Sequence, residues 1–535
     1  MVSTARGGEG KQCDPVEPPP LHRPNLLQVA GRGSLYLLVG KLFTASVTFS
    51  TLVFVVRNLP PQDYGVYNLL LTIELYISLF TANTLSGVFR RYLPEFSEAG
   101  LWTFAKKVIR VGVGLCFLSS LVIVGLLLAL FPWWAPAVYV EQHFRVIAIF
   151  LIACTIHFPA QLLWQSLAAR LLYKQIVAAN IVQSLVRAAI AFTVLLQGGG
   201  LLGVIIAEAC GYVSLFVATS ILYYFNSPRE DISIPPSSAP VGISRRMIKY
   251  GFFHAINIAG VRVIGTETDI LVASFLYPGP LVGLYALAVR VVTNLDNILP
   301  FRILDDFVGT VFFRQYARNK NPETLQTMFL FLTKVSALFL LPIIVVVVVF
   351  GDIILTAFFG QQYSSVHGLV SILSVVLFFN TLRGPLSLVL LALERNDIVS
   401  LSRIAALYNI FGYIILTPLF GIYGIAVATC SATILQNILL YYFAVKHAGV
   451  RMEWQRQSVI IIRFTLLGVL LVLCRSFSDS LLFFVAATVL GTLVFTWWCW
   501  VSGVFHANER QIVREFVAQI VGRPFWGTAK MQPTI

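Results

Sequence analysis

Fourteen apolar runs, each long enough to cross a bilayer, constrain this chain more than any other feature. A hydrocarbon core about 30 Å thick requires about 20 mostly apolar residues per helix. The runs are residues 34–56, 65–88, 108–131, 144–168, 176–197, 201–225, 249–276, 281–303, 328–350, 366–392, 397–418, 421–445, 458–474 and 480–502. Since lipid offers the backbone no hydrogen-bonding partners, such runs form helices. We therefore predict an all-α polytopic membrane protein with about fourteen transmembrane helices.

The composition supports this class and limits the kinds of partner. Hydrophobic residues make up 58% of the chain and charged residues 12%, whereas soluble domains have about 45–50% and about 25%. The net charge of +14 is explained by loop charges that set topology and by contact with anionic membrane lipids. We expect no nucleic-acid partner, because no long soluble domain is present to bind one.

The distribution of basic residues predicts the orientation. With a cytoplasmic N-terminus, 24 of the 38 Lys and Arg residues fall in cytoplasmic segments, and only Arg57 and Arg475 fall in outside loops. Short cytoplasmic loops retain positive charge whereas translocated loops do not. Both termini are therefore predicted to be cytoplasmic.

Short matching segments recur at nearly one spacing and indicate an internal repeat. Residues 65–67 match 283–285 and residues 223–225 match 441–443, both at an offset of 218, while residues 200–203 match 421–424 at an offset of 221. Repeats of this kind are common in transporters, which bind substrate between two bundles. The pattern predicts two parallel six-helix bundles followed by two additional helices.

The runs and the repeat together predict six regions. They are a disordered cytoplasmic N-terminal segment (1–33), an N-terminal six-helix bundle (34–225), a cytoplasmic linker (226–248), a C-terminal six-helix bundle (249–445), two additional transmembrane helices (458–502) and a cytoplasmic tail (503–535).

Motifs in the second half resemble a known family. Asp269 is followed by Gly283-x-Tyr285-x-x-Ala288, then by Phe359, Gly360 and Tyr363, and then by Phe420-Gly-Ile-Tyr-Gly-Ile-Ala426. This pattern resembles the Wzx-type polysaccharide flippases of the multidrug/oligosaccharidyl-lipid/polysaccharide (MOP) exporter superfamily. The resemblance implies V-shaped bundles, with runs 1, 2, 7 and 8 lining a central cavity, and export of undecaprenyl-pyrophosphate-linked sugar units. It also implies a bacterial cytoplasmic (inner) membrane location, and we expect a monomer that works beside other polysaccharide-assembly proteins.

Charged residues lie deep within several apolar runs. A charge at the bilayer centre costs about 2.5–3.5 kcal/mol on insertion scales, so it faces a partner or a water-filled cavity. Runs 1, 2, 7 and 8 contain Lys41, Glu74, Arg262, Glu267, Asp269, Arg290 and Asp296, and runs 5, 6 and 10 contain Arg187, Glu208 and Arg383. Arg262 and Asp269 are seven residues apart, which would align them on one face of a continuous helix.

These charges suggest two roles. A pyrophosphate that crosses low-dielectric surroundings needs cationic side chains in place of its water. The predicted substrate-binding residues are Arg262, Arg290, Lys41, Arg187 and Arg383. The predicted ion-coupling residues are Asp269, Glu74, Glu208, Glu267 and Asp296, with H⁺ or Na⁺ as the coupling ion, because the chain has no ATP-binding loop. No other cofactor and no catalytic residue is expected, and the alternative is that the charges only neutralise one another.

Three other functions remain open. A lipid II flippase and a cation-coupled multidrug antiporter belong to the same superfamily, and the sequence does not exclude either. A membrane polymerase or ligase for lipid-linked glycans would be an enzyme with a sizeable outside loop. Because no predicted outside loop exceeds about 15 residues, we expect a transporter and not an enzyme.

Overall fold

Helices form nearly all of the chain that can be described. The computed structural model describes residues 26–98, 101–170, 172–227, 243–263, 265–298, 312, 321–393, 395–475, 481–506 and 509–510. The long helices are α1 (Leu26–Asn58), α2 (Pro61–Phe80), α3 (Ala82–Glu98), α4 (Trp102–Ala129), α5 (Phe144–Ala169), α6 (Tyr173–Leu196), α7 (Gly200–Asn226), α8 (Ile243–Val263), α9 (Thr266–Leu276), α10 (Gly279–Ile298), α11 (Pro322–Phe359), α12 (His367–Ala392), α13 (Ala405–Phe420), α14 (Ile422–Ala448), α15 (Trp454–Arg475) and α16 (Leu481–Val501). Short helices occupy Phe131–Trp134 and Asn396–Leu401, and 3₁₀ turns occupy Pro136–Val138, Glu141–His143, Gln361–Val366 and Ser402–Ile404. The described residues contain no strand, so the all-α prediction is confirmed for them.

Most of the predicted membrane spans correspond to suitable helices. By length and composition, 10 helices of the described chain can cross a membrane, and the pair α2 and α3, bent by 49°, raises the number to 11. These agree with predicted runs 1–6 and 9–13. Runs 7, 8 and 14 correspond to the interrupted helices α8 and α9, to α10, and to α16, whose apolar part Ala486–Val501 is short. The count of fourteen and the cytoplasmic termini stay predictions.

The predictions for the two ends of the chain can be compared with the structure only in part. Residues 26–33 are helical and belong to α1, so the predicted disordered lead is too long at its C-terminal side. Residues 1–25, most of the predicted linker and nearly all of the predicted tail lie outside the described residues.

Helices α1–α7 form one bundle and α8–α14 a second, here called bundle 1 and bundle 2. In bundle 1, α7 packs against α5 and α6, and α4 packs against α5. In bundle 2, α14 packs against α12 and α13, and α11 packs against α12. When each interrupted pair counts as one segment, these are the same contacts among the third to sixth segments of each bundle, as an internal repeat predicts.

Helices α2 and α3 form two junctions with bundle 2, and one of them brings two backbones together. Helix α1 also contacts α10 and α11 of that bundle. At the α2–α10 junction, a Cβ added to Gly65 would lie 2.6 Å from the carbonyl oxygen of Gly279, and one added to Gly283 would overlap that of Pro61. At the α3–α8 junction, the rings of Tyr92 and Tyr250 meet edge to face at 5.8 Å. Small residues thus permit close helix contact at the first junction, as in other membrane helix pairs.

The seventh predicted span is not one continuous helix. α8 ends at Val263 and α9 begins at Thr266, because Gly265 has an extended backbone with φ −76° and ψ 153°. The prediction that Arg262 and Asp269 share a helical face is therefore wrong, since it assumed unbroken helical periodicity. The break exposes helix ends in the middle of a span, a feature that transporters use at binding sites.

Helix α15 packs on α11, and α16 packs on α15. Buried aromatic residues such as Phe350, Phe464 and Phe484 fill this interface. An ionic cluster secures the same region, because the Lys334 ammonium of α11 lies 2.9 Å from both Glu453 and Glu509. The two additional helices are thus attached to bundle 2 by apolar packing and by buried charge.

Glu453, which precedes α15, also accepts a hydrogen bond from His506 at 2.8 Å. Burial raises the pKa of Glu453, but the hydrogen bonds from His506 and Lys334 outweigh this effect and hold the pKa below its usual range. A carboxylate with a lowered pKa stabilises the fold above its unfolded pKa, and the stabilisation is lost as the pH falls through the folded pKa. This attachment therefore weakens only in acid.

A methyl group at the α2–α10 junction should destabilise the protein. We expect Gly283→Ala to lower the melting temperature, because its Cβ overlaps main-chain atoms and overpacking costs about 1–3 kcal/mol. The measurement is a thermal-shift assay in detergent. Gly114→Ala is the control, since a Cβ there has no atom within 4 Å; equal melting temperatures for the two variants would contradict the tight contact.

Removing the cation of the ionic cluster should also destabilise the fold. Lys334 and Glu509 are each 1% exposed, and loss of one partner of a buried ion pair costs about 3–5 kcal/mol. We expect Lys334→Gln to lower the melting temperature clearly and Lys107→Gln, an exposed control in α4, to leave it unchanged. A similar melting temperature for both variants would show that Lys334 is dispensable for the attachment.

Candidate functional site

The ten charged residues singled out by the sequence do not form one site. The structure distributes nine of them among a cluster in bundle 1, a second buried carboxylate in the same bundle, a cluster in bundle 2, a cavity and a contact between the bundles. The tenth, Lys41, has an exposed side chain on α1 and lines none of these places.

The bundle 1 cluster consists of Thr48, Tyr67, Arg187 and Glu208. Glu208 is 3% exposed and accepts a hydrogen bond from the Tyr67 hydroxyl at 2.6 Å. The Arg187 guanidinium lies 3.5 Å from the same carboxylate oxygen and donates to Thr48 at 3.2 Å. A hydrogen-bonded guanidinium therefore neutralises this buried carboxylate, and Arg187 serves here as a counter-ion.

A second buried carboxylate, Glu74, lies in α2 of the same bundle. It accepts a hydrogen bond from the Tyr212 hydroxyl at 2.6 Å. Its other oxygen lies 3.2 Å from Nε2 of His157. His157 was not singled out by the sequence, where a lone histidine in an apolar run carries no signal of its partner.

The bundle 2 cluster consists of Asp269, Tyr285, Tyr413 and Thr429. Asp269 is fully buried, and its carboxylate accepts from Tyr285 at 2.8 Å, from Tyr413 at 2.7 Å and from Thr429 at 2.5 Å. The Tyr413 hydroxyl in turn accepts from Asn409 at 2.7 Å. All of these donors are neutral, and no Lys, Arg or His of the described chain forms an ion pair with Asp269. This carboxylate differs from Glu208 in having no cationic partner.

The two clusters use equivalent helices. Each draws one residue from the first, second, fifth and sixth segment of its bundle, namely α1, α2, α6 and α7 in bundle 1 and α9, α10, α13 and α14 in bundle 2. Tyr67 and Tyr285 occupy matching positions of the repeat, and each donates to a buried carboxylate. Bundle 1 supplies a cation from its fifth segment, where bundle 2 supplies the hydroxyl of Tyr413. The repeat offset of 221 relates Thr429 to Glu208, whereas Tyr413 lies 226 residues after Arg187 and is found only from the packing of the second bundle.

A cavity of about 250 Å³ contains four more of the predicted residues. It is lined by α8, α9, α10 and α12, all from bundle 2, and its charged side chains are Arg262, Glu267, Asp296 and Arg383. Thr266 and Asn380 add polar groups to the wall. The resemblance implied that runs 1, 2, 7 and 8 line the central cavity. The cavity described here is lined by residues of runs 7, 8 and 10, and not by runs 1 and 2.

The interruption at Gly265 opens into this cavity. α9 begins there, so the positive end of its dipole and its first N–H groups lie at the wall. Arg262 lies 3.5 Å from Glu267, and the two side chains are 32% and 28% exposed. Arg383 lies 3.4 Å from the amide oxygen of Gln436. The cavity therefore combines two guanidinium groups and a helix N-terminus with two carboxylates.

The remaining predicted residue, Arg290, connects the bundles. Its Nε donates to the side-chain oxygen of Asn68 in α2 at 2.9 Å. It does not line the cavity of Arg262 and Arg383. The five predicted basic residues are thus divided among separate places, because they lie on five different helices that pack against different neighbours.

Comparison with known proteins identifies the family. A family profile described as "Polysaccharide biosynthesis protein" matches residues 30–302, just over half of the chain. The chain belongs to the polysaccharide biosynthesis protein family. One relative in this context is the teichuronic acid biosynthesis protein TuaB of Bacillus subtilis (strain 168), which is 28% identical over 139 residues. That match covers 26% of this chain and 28% of TuaB, so TuaB's whole activity does not transfer by similarity alone.

Solved structures share the fold at low sequence identity. The lipid II flippase MurJ in an inward closed conformation gives a TM-score of 0.61 at 15% identity and covers 85% of this chain and 98% of its own. An inward-facing multidrug resistance MATE transporter of the MOP superfamily gives 0.63 at 14% identity, with coverages of 78% and 98%. These two proteins are a lipid II flippase and a multidrug resistance transporter, and at this identity the likeness shows the fold alone.

These comparisons confirm the resemblance drawn from the motifs. The chain is a multi-pass membrane protein with the fold of the MOP superfamily, and its family acts in polysaccharide biosynthesis. The transporter role that the sequence predicts is consistent with these folds and stays a prediction.

Proposed function

We propose that this protein moves a polyprenyl-pyrophosphate-linked oligosaccharide across the bacterial cytoplasmic membrane. Movement would occur by alternating access and be driven by a cation gradient. The observation that carries the proposal is the cavity of bundle 2, where Arg262 and Arg383 lie beside the N-terminus of α9. These are the groups that a pyrophosphate requires when it leaves water.

The electrostatics of the cavity suit transient binding. A guanidinium presents a planar set of donors that matches two phosphate oxygens, and charge-assisted bonds of this kind are about twice as strong as neutral ones. The carboxylate of Glu267 already lies near Arg262, so a pyrophosphate that binds would replace it as the partner of Arg262. When the substrate departs, Glu267 can pair with Arg262 again, and the guanidinium is not left without a counter-ion.

The bundle 2 cluster is the proposed coupling site. A buried carboxylate without a cationic partner is unfavourable, and the Asp269 cluster offers oxygen atoms from Tyr285, Tyr413 and Thr429 around it. Such a site can take up either a proton or a sodium ion, which hard oxygen ligands favour. Glu208 has Arg187 as its permanent counter-ion, so we place the coupling ion at Asp269 and not at Glu208.

The junctions that α2 and α3 form with bundle 2 support the proposal of alternating access. The α2–α10 and α3–α8 contacts lie at different ends of α2 and its continuation α3. Rocking of one bundle against the other would open one junction while the other stays closed. The substrate would then bind from one side and leave on the other.

Substrate flipping tests the role of the arginines. In proteoliposomes with a fluorescent polyprenyl-pyrophosphate oligosaccharide, we expect Arg262→Gln and Arg383→Gln each to reduce the flipping rate about tenfold or more. Loss of a charge-assisted contact costs about 1.5–3 kcal/mol, and 1.4 kcal/mol is a factor of ten. Arg110→Gln, at an exposed position of α4, is the matched control and should flip normally.

A double variant separates substrate binding from simple charge neutralisation. If Arg262 only neutralises Glu267, then Arg262→Gln together with Glu267→Gln restores the rate. If Arg262 binds the pyrophosphate, the double variant stays as slow as Arg262→Gln. Absence of flipping in the intact protein, together with efflux of cationic drugs, would overturn the proposal in favour of a multidrug antiporter.

Replacement of Asp269 tests the coupling site. We expect an inward or outward gradient of either H⁺ or Na⁺ to change the flipping rate of the intact protein, and Asp269→Asn to flip at a rate that no gradient alters. The reason is that the amide cannot take up a proton or balance a cation. Asp352→Asn, which removes a carboxylate paired with Arg475, is the control and should keep the gradient response. A gradient response in Asp269→Asn would place the coupling ion elsewhere.

A further inference from the structure

Bundle 1 contains a buried carboxylate, Glu74, that no arginine or lysine of the described chain neutralises. Arg187 neutralises Glu208, whereas Glu74 is 8% exposed and has no Lys or Arg partner within ion-pair distance in the described chain. A carboxylate in these surroundings needs either a proton or a nearby positive charge. Besides the Tyr212 hydroxyl, the titratable group that contacts it is the imidazole of His157, which is 7% exposed.

The hydrogen-bond geometry determines where a proton can lie. Nε2 of His157 lies 3.2 Å from the Glu74 carboxylate and 2.8 Å from the amide nitrogen of Gln161. An amide nitrogen only donates, so in this arrangement Nε2 carries its lone pair. The Glu74 oxygen can then bond to Nε2 only by donating, which requires a protonated carboxyl group.

A rotation of the Gln161 side-chain amide gives the second arrangement. With its oxygen turned toward Nε2, the amide accepts, and the imidazole N–H donates to Gln161 and Glu74. His157 Nδ1 has no hydrogen-bond partner in the described protein, so no second contact fixes the tautomer of the ring. The ring stacks on Tyr212 with centroids 4.0 Å apart, which keeps it beside Glu74 in both arrangements.

Other ionisable groups around the pair already have partners. Arg187 contacts Glu208 and Thr48, and Arg290 contacts Asn68. The groups that face the pair from the packed helices are Cys154 of α5, Arg187 of α6, Glu208 and Tyr212 of α7, and Arg290 of α10. Two carboxylates face one engaged arginine within the bundle, so neutrality of bundle 1 leaves one proton for Glu74 and His157 to share.

We infer that Glu74, His157 and Gln161 form a binding site for one exchangeable proton inside bundle 1. This site is separate from Asp269 and does not depend on the identity of the transported substrate. Proton release leaves a negative charge on α2, the helix that meets α10 of bundle 2. The occupancy of the site therefore changes the charge at a junction between the bundles.

Infrared difference spectroscopy of the full-length protein in nanodiscs tests the inference. A protonated carboxyl group gives a carbonyl band that shifts in D₂O and disappears when the proton is released. We expect the intact protein to lose such a band as the pH rises, Glu74→Gln to lack it, and both Glu267→Gln and Asp269→Asn to retain it. Glu267→Gln is the matched control, since it makes the same chemical change at a partly exposed glutamate.

The imidazole is tested by His157→Gln, which preserves a donor toward Glu74 but cannot take up a proton. We expect the Glu74 band to persist to a pH at least about one unit higher, because a positive partner no longer favours the carboxylate. If Glu74→Gln keeps every pH-dependent carboxyl band of the intact protein, the site is overturned; a band that is lost only in Asp269→Asn belongs to the coupling site. An unchanged titration in His157→Gln would remove the histidine from it.

Folding of the variants is checked by melting temperature before the spectra are compared. Tyr212→Phe provides a second variant that keeps both titrating groups and removes only the hydroxyl donor at 2.6 Å. We expect its band to remain and to shift in frequency, because the Glu74 carboxyl group loses one hydrogen bond. An unshifted band would show that the observed carboxyl group is not Glu74.

Discussion

The cost of unpaired charge in a low-dielectric interior governs this structure. Each buried carboxylate within the bundles has a different partner: a guanidinium at Glu208, an imidazole at Glu74 and three hydroxyl groups at Asp269. The type of partner determines what each carboxylate can do. A counter-ion that is a side chain of the protein cannot exchange with solution. Hydroxyl groups carry no charge, so the carboxylate that they surround must be balanced by a proton or an ion from solution. The proposed ion and proton sites are therefore the places where charge neutralisation among the described residues is incomplete.

The internal repeat shows how one geometry supports two outcomes. Tyr67 and Tyr285 make the same kind of hydrogen bond from matching positions, but the acceptor lies on the sixth segment in bundle 1 and on the first in bundle 2. The fifth segment decides the electrostatics, because it contributes Arg187 in one bundle and Tyr413 in the other. A cationic side chain on the fifth segment thus gives a neutralised cluster in bundle 1, and a neutral side chain on the same segment gives a cluster suited to ion binding in bundle 2.

The sequence predicted most of the helices, the family and the residues that deserve scrutiny, because apolar run length and buried charge are local signals. It did not predict the break at Gly265, since glycine is also common within membrane helices, and the false continuity misplaced Arg262 relative to Asp269. His157, Tyr413 and Thr429 were missed for another reason. Their importance comes from contacts between helices distant in sequence, and neither hydropathy nor spacing records which side chains face one another.

The contact between Gly65 and Gly283 also has a kinetic consequence. Where large side chains interlock, two helices can separate only after several rotamers change together. Around Gly65 and Gly283 main chain meets main chain, so this part of the contact can open without any side chain changing its rotamer. The first step of an opening between α2 and α10 therefore needs no preparatory rearrangement here, and the Arg290–Asn68 hydrogen bond is the polar contact that must break as the helices part.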